Sequence, residues 1–293
     1  MELLTWTTAI TVLIALALLL PGWRLKRVLA RPMPADWQAT LARNIPIYAR
    51  MGPALQAQLQ RLVLQFLHQK KFVGCAGLEI DDEIRVTIAG QACLLLLNRH
   101  TRVFPSLHTV LVYPSAFSAP RRHVDAAGVV NDTRQHLLGE SWGDGRVVLS
   151  WDHVLRGAHD WTDGQNVVLH EFAHQLDSES GSNNGAPYLG SQASYRSWAA
   201  VLSRDFDNLR ADAYYQQQSV LDHYGATSPA EFFAVATETF FEKPWQMADH
   251  HAALFDEFLK YYRVDPRAWQ AAPAPAPAAL DASGYVPQYG QWQ

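Results

Sequence analysis

Val167-Val168-Leu169-His170-Glu171-Phe172-Ala173-His174-Gln175-Leu176-Asp177 is the stretch of this 293-residue chain from which the rest can be read. It contains HExxH. On a helix, His170 and His174 lie one turn apart on one face, so both imidazoles can reach a single Zn²⁺ at about 2.0–2.1 Å, with Glu171 beside them facing a water at the metal. Leu169, Phe172, Ala173 and Leu176 fall on the opposite side and give the segment an apolar back. Asp163 stands where it can cap the helix start. Two histidines and a glutamate within an apolar run are costly to bury without partners, and one metal ion supplies a partner to all three.

A third protein ligand has to come from elsewhere. The pattern with a further His six residues after the second does not apply, because that position is Ser180 and Asp177 stands where its Gly would be. A distant carboxylate is therefore expected, and the segment Tyr224-Gly225-Ala226-Thr227-Ser228-Pro229-Ala230-Glu231-Phe232-Phe233-Ala234-Val235-Ala236-Thr237-Glu238 offers one. Ser228 reads as an N-cap, Pro229 as the first helical residue, and Glu231 as the third, near the positive end of the helix dipole. A plain capping box between Ser228 and Glu231 fits the same letters. Glu238, two turns further along a similar face, is the rival ligand, and Glu242 a weaker one. Asp177, one turn beyond His174, could bind directly but fits better as a group that orients a ligand from behind.

The flanking sequence predicts an α+β domain. Leu55, Leu59, Leu62 and Phe66 recur at helical spacing after Pro53, and Asp81 or Asp82 can cap a helix running through Ile88 and Ala92 to Leu96. Leu107–Tyr113 and Arg146–Trp151 are β-branched runs bounded by turn residues, hence short strands. The second is placed to align an extended peptide at a sheet edge ahead of the HExxH helix. Trp198, Val201, Leu202, Phe206 and Leu209 mark one later helix, and Leu254, Phe255, Phe258 and Tyr262 another.

Both ends of the chain read differently. Leu3–Leu20 carries no charge and is long enough to come close to spanning a bilayer core. Pro21, Gly22 and Trp23 close it, and Arg24, Lys26, Arg27 and Arg31 follow without an acid among them. The sequence therefore predicts a transmembrane anchor at 1–23, a basic linker at 24–36, a folded domain carrying the HExxH helix at 37–270, which the resemblance described below implies to be a zincin-like peptidase domain, and an Ala/Pro-rich disordered tail at 271–293. This places a single-pass protein in the inner (cell) membrane with its domain facing the cytoplasm. A cleaved signal peptide fits less well, since a basic n-region is missing. A purely cytoplasmic protein is the alternative location.

The 24 Lys and Arg residues against 28 Asp and Glu give a net charge of -4, which offers no basic stripe for nucleic acid. Cys75 and Cys93 are too few for a disulfide framework and lack zinc spacing. Gly139-Glu140-Ser141-Trp142-Gly143 matches a nucleophile elbow, but the Gly143-Asp144-Gly145 that follows leads into a strand where the elbow needs a helix, so it reads as a turn.

The stretches VVLHEFAHQLD, GAPYL and YGATSPAEFFAVATETFFE resemble the Mlc titration factor A family of zinc-dependent peptidases, over roughly residues 30–265. The two site helices also resemble the zinc site of anthrax lethal factor, where a Tyr precedes the distant Glu by seven residues, as Tyr224 precedes Glu231. The resemblance implies a gluzincin-like fold, one Zn²⁺ held by His170, His174 and Glu231, Glu171 as general base and Tyr224 as a donor to the transition state. It implies a peptide or protein substrate and weakly favours aminopeptidase action, for which Glu238, Glu179 or Asp177 could hold the substrate amine. The toxin's second Glu, four residues after its ligand, is Val235 here, so the supporting groups must differ. The rival reading is a regulatory module of the same fold that sequesters a protein partner such as a transcriptional repressor.

Overall fold

The computed structural model describes residues 6, 19–99, 101–124, 130–137, 139–142 and 145–273. The expected anchor lies almost wholly outside these residues, as does the tail beyond 273. Among the described residues no helix is long and apolar enough to cross a membrane. Helix α1, residues 19–29, runs through Pro21 and Gly22, so the break expected at 21–23 falls at 30–34. Leu25, Val28 and Leu29 are partly buried on one stripe while Arg24, Lys26 and Arg27 point outward, and that amphipathic face keeps the segment helical.

Helices α2 (Ala35–Asn44), α3 (Pro46–Arg50) and α4 (Pro53–Gln69) follow, with Leu59 and Phe66 of α4 buried. Strand β1 (Lys71–Gly74) leads into α5 (Asp82–Leu94), whose start is capped by Asp81 accepting from the Ile84 N–H at 2.8 Å. Helix α5 is the crossover to β2 (Thr109–Tyr113), and the two strands pair in parallel. The predicted strand in the second β-branched run is β6 (Arg146–Ser150), again parallel to β2.

Three features correct the sequence reading. Strand β3 (Phe117–Val124) pairs antiparallel with β4 (Val130–Leu137) as a separate hairpin, whose polar composition gives no alternating signal. The expected turn at Gly139 is strand β5 (Gly139–Trp142), antiparallel to β6. The sheet order is therefore β1-β2-β6-β5, and β6 has both edges paired. It cannot receive a peptide strand; among the described residues the unpaired edge on that side is that of β5.

Helices α6 (Trp151–His159), α7 (Val167–Ser178), α8 (Gln192–Tyr215), α9 (Pro229–Glu242), α10 (Pro244–His250) and α11 (Ala252–Tyr262) complete the domain, with short 3₁₀ turns at His223–Ala226 and Pro266–Trp269. Packing explains why α7 sits where it does. Phe172, on its apolar back, meets Phe66 at 5.7 Å and Phe104 at 4.8 Å between ring centroids. Burying such a ring contributes about 1.5–3 kcal/mol, so the polar front of α7 is fixed by the grip on its rear. Helix α9 is held in the same way: Phe240 packs on Phe255, Phe258 and Tyr262 of α11.

Candidate metal centre

Helix α7 places His170 and His174 on one face, their rings 4.9 Å apart between centroids. Helix α9 presents Glu231 to both. Its Oε2 lies 3.0 Å from His170 Nε2 and 3.3 Å from His174 Nε2. One donor atom from each of the three residues falls within 4.8 Å of the others, a spacing that suits one ion. Ser228 does cap α9, accepting the Glu231 N–H at 3.2 Å, but the Glu231 carboxylate turns to the histidines and does not close a capping box. Burial opposes ionisation of Glu231, yet the two imidazoles outweigh it and hold the carboxyl well below the usual range. Burial likewise opposes charge on His170, while Glu238 and Glu231 raise its basicity. Two nitrogens and one oxygen of this kind, gathered in a partly dry pocket around a single point, form a donor set for Zn²⁺.

Glu171 stands beside them with 5% of its surface exposed. Burial pushes its carboxyl up to about 7, against the pull of His170 and His174. A group so placed exchanges protons readily at neutral pH.

The carboxylate that sequence spacing made a rival ligand has another task. Glu238 Oε1 lies 2.7 Å from His170 Nδ1, the ring nitrogen turned away from the triad. It therefore fixes the orientation of that imidazole and leaves Nε2 for the ion. Glu238 is itself held by the backbone N–H of Asn166. The helix start expected at Asp163 is at Asn166, whose Oδ1 accepts from the Val168 and Leu169 N–H groups at 3.1 and 3.0 Å. Asp163 instead closes its own turn by accepting the Gln165 N–H. Asn166 Nδ2 reaches Gln91 Oε1, the Gly157 carbonyl and Glu242 Oε1. Glu242 is thus part of the support and not a ligand, and burial raises its carboxyl well above the usual value.

Asn166 escaped the sequence reading because Asp163 offered an equally good cap three residues earlier. Its removal should be felt beyond the cap. Asn166→Ala loses about 0.5–2 kcal/mol of capping and leaves buried acceptors on Gln91 and Glu242 without a donor, at about 1–3 kcal/mol more. A drop in the thermal midpoint of roughly 5–15 °C is expected by calorimetry.

Of two further sequence-predicted residues the structure sets one, Tyr224, beside the centre and ties the other, Asp177, to the loop after α7. The ring of Tyr224, on the 3₁₀ turn before α9, lies 5.9 Å from that of His170 and is 53% exposed. Asp177, fully buried, accepts the Gly185 N–H at 2.7 Å through Oδ2. Among the described residues no hydrogen bond joins it to His174, and both Asp177 Oδ1 and His174 Nδ1 are buried there without a partner; the bond that Asp177 does make anchors the loop after α7. Gly185 has φ +78°, and a Cβ on it would collide with the Pro229 carbonyl at the start of α9. Its own carbonyl accepts from Trp198 Nε1 of α8 at 2.8 Å.

Known proteins match this chain over most of its length. The sequence profile of the glucose-regulated metallo-peptidase M90 matches residues 20–263. A protein of Synechocystis sp. called uncharacterized is 40% identical over 245 residues, covering 83% of this chain and 89% of its own. Mlc titration factor A of Escherichia fergusonii is 33% identical over 80% of this chain and 88% of its own, and that of Klebsiella pneumoniae (strain 342) is 34% identical over 78% and 86%.

Proposed function

The chain belongs to the glucose-regulated metallo-peptidase M90 family, and from that premise we propose that it hydrolyses peptide bonds with one Zn²⁺ held by His170, His174 and Glu231. The observation that carries this reading is the convergence of the three donors from two helices with Glu171 beside them. The zincin-like fold expected from the sequence is part of the same proposal. It is supported by an HExxH helix packed against β5 and β6, with the third donor on the next long helix but one.

When bound, Zn²⁺ supplies a Lewis acid that polarises the substrate carbonyl and lowers the pKa of water to about 7. The residues do the rest. Glu171 takes the proton from the attacking water and later returns it to the leaving amine, a dual role that suits a carboxyl near neutrality. Glu238 holds His170 in one orientation through Nδ1. Strand β5 offers a free backbone edge beside α7, along which an extended peptide can pair. Tyr224 stands beside His170, where its hydroxyl can donate to the oxygen that gains charge as water adds. Tyr224→Phe should lower kcat by about 10²-fold with KM little changed, measured on a fluorogenic peptide. An unchanged kcat would remove Tyr224 from the mechanism.

Aminopeptidase action is the finer reading, and a blocked N-terminus tests it: acetylation of the peptide should abolish turnover by an aminopeptidase and leave an endopeptidase active. A second reading draws on the relatives' name, Mlc titration factor A, which points to a protein called Mlc. On that reading the domain sequesters a protein partner, and turnover is incidental.

A further inference from the structure

A cleft of about 570 Å³ opens away from the metal triad, between α8, α11 and the segment that leaves α7. Its size lies within the usual range for small-molecule sites. None of His170, Glu171, His174 and Glu231 lines it. Glu179, which does, is the residue just past the end of α7, five after His174 and about 140° further around the continued helical path, so it faces another way.

Three aromatic side chains form part of the walls, among charged, hydroxyl-bearing and small residues. Trp198 is buried and stacked on Phe258 at 5.3 Å, Tyr261 is buried beside it, and Tyr188 is exposed at the mouth. Two charged side chains face the cleft with much of their bonding capacity uncommitted. Arg99 holds its guanidinium carbon 4.3 Å over the Tyr261 ring, which fixes the plane of the fork. Its guanidinium reaches the Leu95 carbonyl at 3.4 Å, a long hydrogen bond, and lies beside the Tyr261 hydroxyl, whose acidity it raises. Glu179 makes no ion pair among the described residues; its Oε1 is buried beneath the surface with no hydrogen-bond partner, so its other carboxylate oxygen is the one a ligand in the cleft can meet. Burial raises its carboxyl, as expected for a carboxylate short of donors, while Arg99 and Lys70 pull it down from a distance. The other opposed pair in the cleft is already satisfied: Lys260 Nζ is 2.8 Å from Glu257 Oε1, which also accepts from Ser197. Arg263 lies at the exposed rim.

A ligand that suits this arrangement carries a carboxylate for the Arg99 fork, an ammonium for Glu179 and an apolar body for the aromatic walls. We propose that the cleft binds a free amino acid with an aromatic side chain as its zwitterion. Arginine takes carboxylates in a bidentate, planar manner, and a ring that holds its plane lowers the ordering needed on binding. The site is joined to the catalytic helices through covalent structure: Glu179 directly follows α7, and Tyr188 and Leu189 continue from Gly185, which abuts Pro229 of α9. This inference stands apart from the peptidase reading, although free amino acids are also what a peptidase releases.

Calorimetric titration of the full zinc-loaded chain with L-phenylalanine tests it. Saturable binding is expected at or below the millimolar range. Phenylalaninamide, which lacks the carboxylate, and N-acetylphenylalanine, which lacks the ammonium, should each bind at least about tenfold more weakly. Arg99→Gln and Glu179→Gln should weaken phenylalanine by a similar factor, and Arg99→Lys, which keeps the charge but not the fork, should fall between. Glu231→Ala should bind phenylalanine as the parent does, whatever its effect on turnover. No heat up to about 10 mM phenylalanine would overturn the proposal. Equal binding of N-acetylphenylalanine would turn the cleft into a site for a peptide C-terminus, and equal binding of the amide into one for an N-terminus. Loss of binding in Glu231→Ala would assign the ligand to the metal centre.

Discussion

Glu171→Gln is expected to lower peptide turnover by about 10²–10⁴-fold while leaving the metal in place. The substitution keeps the shape of a buried side chain and removes its ability to carry a proton. Neither oxygen of Glu171 belongs to the donor set, which comes from His170, His174 and Glu231, so the ion should remain. The check is kcat on a peptide substrate beside zinc content by atomic absorption. Retention of more than a tenth of the activity would place the base elsewhere. If parent and variant both hold zinc and neither cleaves, the binding-module reading takes precedence.

Glu231→Ala should weaken zinc by more than 10²-fold, read by competition with a chromophoric chelator. The comparison with Glu238→Gln gives the measurement its force. Glu238 touches His170 only through Nδ1, so its loss should cost about 10–100-fold, as is usual for groups that orient a ligand. A larger effect at Glu238 than at Glu231 would exchange the two roles. Neither change should unfold the domain, since α9 is held by Phe232, Phe233, Phe240 and Phe241, all buried.

Those two carboxylates also show how far the sequence could be read. Glu231 and Glu238 lie seven residues apart on one helical face, and spacing alone offers both to the same imidazole. What separates them is which ring nitrogen each one meets, a difference of an ångström or two that depends on how α7 and α9 pack. Helices were legible wherever the apolar stripe was continuous, as in α4, α8 and α11. The Ser228-Pro229 start of α9 was legible from local chemistry alone. The β3–β4 hairpin and β5 were not, because FSAPRRHV, VNDTRQHL and GESW lack the alternation that a half-buried strand shows. The sequence points to β6 as the substrate edge for that reason: a strand's neighbours are long-range facts, and GESW reads as a turn. Asn166 was hidden by a competing cap, and its link to Gln91 and Glu242 spans some 75 residues of chain.

Gly185 has a bearing on which metals the centre accepts. Its N–H, its carbonyl and its missing side chain meet three different helices, so the gap between α7 and α9 is set at a point where the backbone carries only hydrogen. A methyl group there would act as a wedge, pushing Pro229 outward and drawing Glu231 away from the two imidazoles. Bonds of about 2 Å suit Zn²⁺, and a widened triad would loosen its hold on Zn²⁺ and so its preference for it over other ions that imidazole binds. The caliper of the ion site is thus a loop residue that never touches the ion.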